Sequence, residues 1–202
     1  MLQYILSESD RYPVAELAQM AIEGGCMWIS LHLTGKSDQE IREMLVPDVV
    51  DMCREASVFL TIDDRPELAR ELGLHGVRLS REWFVIHPAA TPASMREDMG
   101  PEAVIGIEAV DSSAVPAMVP ADIDFVTVPA SIGDDRLRAF VIAVRDAGIK
   151  IPLVAEGDFD LEDIPTIFAM GYNGLAVGKP ITDAGDPVTA TGSILDIISN
   201  AQ

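Results

Sequence analysis

Acids placed just after short apolar runs are the main chemical resource of this 202-residue chain. Glu8 and Asp10 follow residues 2–6. Asp63, Asp64 and Arg65 follow 58–62, Arg81 and Glu82 follow 76–79, and Glu108 follows 104–107. Asp134 and Asp135 come after 125–128, Glu156, Asp158 and Asp160 after 153–155, and Lys179 after 174–177; His32 lies near the end of 27–33. Carboxylates that converge repel one another, which raises some of their pKa values unless a cation sits among them. Such an oxygen-rich group suits a hard ion such as Mg²⁺. The plainer reading of any single acid is that it faces solvent or caps the next helix, as Asp63 and Asp160 could.

Two other features bear on chemistry. Gly157 opens a loop into a helix, where backbone N–H groups can bind a phosphate, although Asp158 beside it opposes an anion. Of the three histidines, His32 is the one placed for acid–base work or ligation, while His75 reads as a surface residue and His87 as structural. No serine nucleophile elbow, Walker loop or zinc-ligand spacing occurs.

The elements that must position these groups alternate regularly. A helix follows Pro13, with Val14, Leu17, Ala18 and Ala21 on one face, and Gly24-Gly25 ends it. Ser37 and Glu40 have the spacing of a capping box, and Ile41, Met44 and Leu45 recur at helical intervals. Pro47 breaks that helix before 49–55. Helices follow at 67–72, 92–99, 135–146 and 187–198, with a short one at 113–118 and another framed by Asp160, Asp163 and Gly171. Eight strand-like runs alternating with eight helices predict an α/β fold, a single (β/α)8 TIM barrel over residues 1–202. A doubly wound open sheet is the alternative. Such a barrel carries its site at the C-terminal ends of the strands, where the acids fall.

Composition narrows the partners. Thirty-three acids against 14 bases give a net charge of −19, so nucleic acid and anionic membrane are repelled. No apolar run reaches the ~18–20 residues of a membrane-spanning helix. No signal segment opens the chain, and the two cysteines define no disulfide framework or cysteine-rich zinc site. The expected compartment is the cytoplasm.

Several stretches carry a family resemblance. Ile62-Asp63-Asp64-Arg65-Pro66-Glu67-Leu68-Ala69, then Gly76-Val77-Arg78-Leu79, resembles the signature I-N-D-R-x-D-L-A followed by G-V-H-L-G. Val154-Ala155-Glu156-Gly157, then Ile164, Gly171, Asn173-Gly174 and Leu175-Ala176-Val177, resembles V-A-I-G-G-I and G-x-x-G-V-A-V. Residues 28–34 fall where a Q-L-R-x-K strand stands. These are motifs of thiamine-phosphate synthases and the related thiazole tautomerases. The resemblance implies joining of a pyrimidine diphosphate to a thiazole phosphate, with Mg²⁺ and release of diphosphate.

The carry-over is uneven. Asp64 matches a metal-binding aspartate; the second falls at Trp83, with Glu82 beside it. Ser30, His32 and Thr34 replace the glutamine, arginine and lysine of the strand-two motif, and Arg78 replaces a histidine. The hydroxyl-rich loop with its lysine after strand six becomes Pro129-Ala130-Ser131-Ile132-Gly133-Asp134-Asp135, and the tautomerase histidine is absent. Asp158 replaces a glycine, and Gly178-Lys179-Pro180 a phosphate-contacting serine. The expected site is therefore His32, Arg78 and Lys179 for catalysis, and Asp63, Arg65, Arg81, Glu108, Glu156 and Gly157 for a small phosphorylated molecule. Asp64 and Glu82 are the expected ligands of Mg²⁺. Synthase turnover is expected to be weak or lost. The alternatives are a non-catalytic ligand- or partner-binding paralogue and a metal-dependent enzyme on another substrate. A homo-oligomer is compatible with all of these.

Overall fold

Eight parallel strands close into a barrel in the order β1 to β8, each bonded to its sequence neighbours and β8 bonded back to β1. The computed structural model describes residues 1–118 and 123–201. The expected span 1–202 takes in residues 119–122 and 202, which lie outside the described residues. The strands are β1 (Leu2–Leu6), β2 (Trp28–Leu31), β3 (Phe59–Asp63), β4 (Gly76–Leu79), β5 (Val104–Glu108), β6 (Phe125–Pro129), β7 (Leu153–Glu156) and β8 (Gly174–Val177). The closed sheet excludes the open doubly wound alternative.

The helices form where apolar periodicity and caps allow them. Helix α1 (Val14–Glu23) buries Val14, Leu17, Ala18 and Ala21, and Gly24 ends it. Ser37 and Glu40 make the reciprocal capping box of α2 (Asp38–Leu45). Pro47 separates it from α3 (Asp48–Glu55). Pro66 opens α4 (Pro66–Glu71), where its missing N–H has no bond to lose. The helix expected after β4 lies at 92–99, and a further one, α5 (Arg81–Ile86), precedes it and follows the strand directly. Its signal was the cap: Ser80 Oγ accepts from the Trp83 N–H at 3.1 Å. Then come α6 (Pro92–Met99), α7 (Val115–Met118), α8 (Asp134–Asp146), α9 (Ile164–Ala169), α10 (Lys179–Thr182) and α11 (Pro187–Ala201). Among the described residues no helix is long and apolar enough to cross a membrane.

Strand alternation divides the packing in two. Leu2, Tyr4 and Leu6 join the main core between sheet and helices, with Leu17, Ile41, Leu68, Phe140 and Ile194. Ile5, Phe125, Val154 and Ala176 form a separate apolar cluster. The Phe125 ring lies against Gly106, where a Cβ would stand 2.0 Å from its Cζ atom. Polar side chains pin the strand starts: the Ile105 N–H donates to Asp124 Oδ2 at 2.7 Å and the Leu153 N–H to Asn173 Oδ1 at 2.9 Å.

Replacing Gly106 tests this packing. Gly106→Ala should lower stability in urea by about 1–3 kcal/mol, the usual range for overpacking. Adding Phe125→Leu should recover part of it. A Gly106→Ala protein as stable as the original would show that the ring lies elsewhere.

Candidate functional site

The C-terminal mouth of the barrel is organised by one buried cation. Arg78 leaves β4 with its side chain 6% exposed. Strand register sets Asp63 directly beside it. Arg78 grips that carboxylate with two parallel hydrogen bonds, Nε to Oδ1 at 3.0 Å and Nη2 to Oδ2. Its remaining arm, Nη1, donates to Glu156 at the end of β7. This two-pronged geometry suits a guanidinium and is unavailable to a lysine.

Asp63 is the second hub. Its Oδ2 also meets His32 Nδ1 at 2.7 Å, and its Oδ1 accepts from Ser30 Oγ at 3.1 Å. A row of donors reaches it from inside the barrel: the Trp28 indole N–H donates to Thr61 Oγ1 at 3.1 Å, and Thr61 Oγ1 donates to Ser30 Oγ at 3.1 Å. Burial pushes the Asp63 pKa up, but the charge of Arg78 and the hydrogen bonds from His32 and Arg78 more than reverse this, so the carboxylate stays ionised. The Asp63 hydrogen bond raises the His32 pKa against partial burial. Glu108, at the end of β5, is pushed upward by burial and then by the negative charges of Glu156, Glu82 and Asp64, with Arg78 opposing them. Glu108 thus feels the acids past β3, β4 and β7.

The other expected residues are engaged elsewhere or stand in solvent. Arg65 turns to the β2–α2 connection, donating to Asp38 Oδ1 at 2.6 Å and the Lys36 carbonyl at 2.8 Å. Lys36 in turn pairs with Glu8 at 3.0 Å. Arg81 and Glu82 are exposed on the first turn of α5. Lys179 is 74% exposed, with Nζ 3.7 Å from Asp158. The Gly157 N–H donates to the Ala176 carbonyl at 3.0 Å, so it extends the β7–β8 ladder and does not face the loop as a phosphate donor. Beside these residues a cavity of about 550 Å³ opens between the ends of β1, β6, β7 and β8, lined by Ser7, Glu8, Ser131, Glu156, Asp158 and Lys179 among others.

The implied Mg²⁺ finds a poor donor set. Asp64 takes up the left-handed backbone conformation (φ 56°), and both its oxygens accept from Ser80, from the N–H and the hydroxyl, at 2.7 Å each. It therefore props the cap of α5. The position of the second family aspartate is Trp83, buried and stacked on His87 with ring centroids 4.4 Å apart. Among the described residues, no group of three or more His, Cys, Asp or Glu side chains is placed to hold a metal ion. These residues do not fit a protein-built Mg²⁺ site.

Ser30 and Thr61 were not among the expected site residues, although the sequence carried a signal for them. Polar residues two apart in a strand share a face, and Ser30 with His32, and Thr61 with Asp63, are such pairs.

Fold and site together define the class: a (β/α)8 barrel whose candidate site groups stand on the strand ends of its C-terminal face. The family model described as thiamine monophosphate synthase matches residues 2–181, and the chain belongs to that family. A thiamine-phosphate synthase of Bacteroides fragilis is 32% identical, the alignment covering 97% of this chain and 98% of that one. One from Natronomonas pharaonis is 29% identical over 91% of this chain and 87% of its own. The solved thiamine phosphate pyrophosphorylase of Pyrococcus furiosus superposes with a TM-score of 0.82 at 22% identity, covering 98% and 96% of the two chains.

Two measurements test the network. Arg78→Met leaves Asp63 buried without its counter-charge and should cost about 3–5 kcal/mol in urea unfolding at neutral pH. The His32 contribution has a definite sign. Its pKa is raised in the folded state, so its stabilisation is complete below the unfolded value near ~6.5 and is lost as pH rises through the folded one. The stability gap between the native protein and His32→Gln should therefore narrow from pH 5 to pH 9, and a gap independent of pH would contradict the pairing with Asp63.

Proposed function

We propose that this protein acts in thiamine biosynthesis, binding a small phosphorylated pyrimidine or thiazole compound at the barrel mouth, and that ordinary synthase turnover there is weak or lost. The observation that carries the reading is the closure of Arg78 by Asp63 and Glu156. Departure of a diphosphate needs positive charge aimed at the oxygens on which negative charge develops. The Arg78 guanidinium already meets two carboxylates. Arg65 and Lys36 are paired with acids of their own, and Lys179 stands in solvent next to Asp158. Each charge-assisted contact withdrawn from a diphosphate forfeits about 1.5–3 kcal/mol. Several together weaken its binding by orders of magnitude.

What the mouth retains is recognition and proton handling. Asp63 holds the His32 ring by Nδ1, as a carboxylate orients an imidazole in acid–base sites. The side chain is 41% exposed, which leaves part of the ring open to a ligand. Glu108, with its raised pKa, can donate a hydrogen bond as a neutral acid over a wider pH range than a free glutamate. Both groups suit a heteroaromatic ring bearing nitrogen or an amine. Lys179 and Ser131, on the cavity wall, would meet a phosphate at its outer edge. The same closure of Arg78 favours, as a second reading, a paralogue that binds such a compound without converting it.

The deciding assay supplies both precursors with Mg²⁺ and follows thiamine phosphate. Turnover should fall orders of magnitude below the ~10 s⁻¹ of a median enzyme, while thiamine phosphate or one precursor should raise the melting temperature. Turnover near the median that is lost in Lys179→Ala would replace this reading with that of a rebuilt synthase site.

A further inference from the structure

The opposite end of the barrel holds a second cavity. A barrel of this type ordinarily fills its interior with layers of side chains and keeps its N-terminal face for stability. In this chain β4 and β8 begin with Gly76 and Gly174, which contribute no side chain to that end. The Phe125 ring lies against Gly106. Below it a cavity of about 530 Å³ opens to solvent, walled by Met1, Trp28, Phe59, Val104, Phe125 and Pro152.

The walls specify the chemistry of an occupant. Trp28 stands edge-to-face with Phe125 (centroids 5.0 Å apart, planes at 80°) and tilted against Phe59 (6.1 Å, 42°), so the walls are aromatic. The polar handle of Trp28 is turned away: its N–H donates inward to Thr61 Oγ1. Among the described residues Asp124 is the one charged side chain in the lining, and it already accepts from Arg96 Nη2 and from the Ile105 N–H, both at 2.7 Å, while the Met1 ammonium donates to the Asn173 carbonyl at 3.3 Å. Among the described residues no lining side chain is left to neutralise an ion, and the net charge of −19 repels an anion. At the rim Phe59 remains 46% and Met27 55% exposed, so apolar surface stays in water when the cavity is empty. Its volume falls in the ~300–1,000 Å³ range of small-molecule sites.

We propose that this floor cavity is a second binding site, for a neutral, flat, apolar molecule of aromatic character held by contact and stacking alone. Burial of the Phe59 and Trp28 faces supplies the driving force, and ring-on-ring geometry supplies the preference for a flat ligand. The site does not depend on the reading of the mouth.

Nile red, a neutral flat dye whose emission rises in apolar surroundings, tests it directly. One equivalent should bind saturably to the native protein. Val104→Phe, which fills the cavity, and Phe59→Ser, which removes an exposed wall, should each weaken binding about tenfold or more, the scale of one wall side chain's contact area. Ile86→Ser removes an exposed apolar residue from α5, beyond the opposite end of β4, and should leave binding unchanged. Thermal melts establish that each variant is folded; if Val104→Phe is not, Phe59→Ser decides. The proposal falls if binding does not saturate, or if the folded variants bind as the native protein does. It falls equally if sedimentation shows a dimer that Phe59→Ser dissolves, because a second copy would then cover this face.

Discussion

A buried arginine cannot exist without partners, and in this protein that requirement organises the mouth. Removing a charged side chain from water costs several kcal/mol unless close, well-aligned opposite charge compensates it. Arg78 obtains that compensation from a neighbour one strand away and from Glu156, three strands away. The second contact exists because the sheet closes; the ends of β4 and β7 face each other only around a barrel. The ion-pair geometry and the closed topology therefore depend on one another.

Much of the architecture was legible because it is written in short-range rules. Capping at Ser37, the proline break between α2 and α3, glycine after α1 and the alternation of apolar runs each reflect local constraints, and each held. Helix α5 was missed because its capping serine directly follows a strand, where it reads as part of a loop. Site residues were harder for a different reason. Sequence position told which carboxylates stand at the mouth, but not which of them are neutralised. Arg65 and Arg78 are similar in a sequence, yet one tethers a connecting loop and the other sits at the centre of the mouth. Asp64 matched a family motif letter for letter and nonetheless directs both oxygens to Ser80. Partner choice is a three-dimensional property, and the pattern of residue types does not encode it.

The two ends of the barrel also differ in kind. At the mouth, interior positions carry Ser30, Asp63, Arg78, Glu108 and Glu156, and their character is electrostatic. At the floor they carry Trp28, Phe59, Phe125 and Val154, and their character is aromatic and apolar. The transition takes place within two residues along β2 and β3, from Trp28 to Ser30 and from Phe59 to Thr61. An alternation of period two lets one strand face present both characters in succession.

The row from Trp28 through Thr61 and Ser30 to Asp63 joins these ends, and every donor in it points the same way. An indole N–H can only donate, and an ionised carboxylate can only accept, so the two ends fix the sense of the hydroxyls between them. The barrel axis thereby acquires a permanent orientation at the level of its protons, a small aligned dipole whose positive end lies toward the anion. Were the carboxylate neutral, it could donate as well as accept, and the sense of the Ser30 hydroxyl would no longer be imposed from that end. The indole at the other end would still hold its own link, so the full order of the row needs both of its termini.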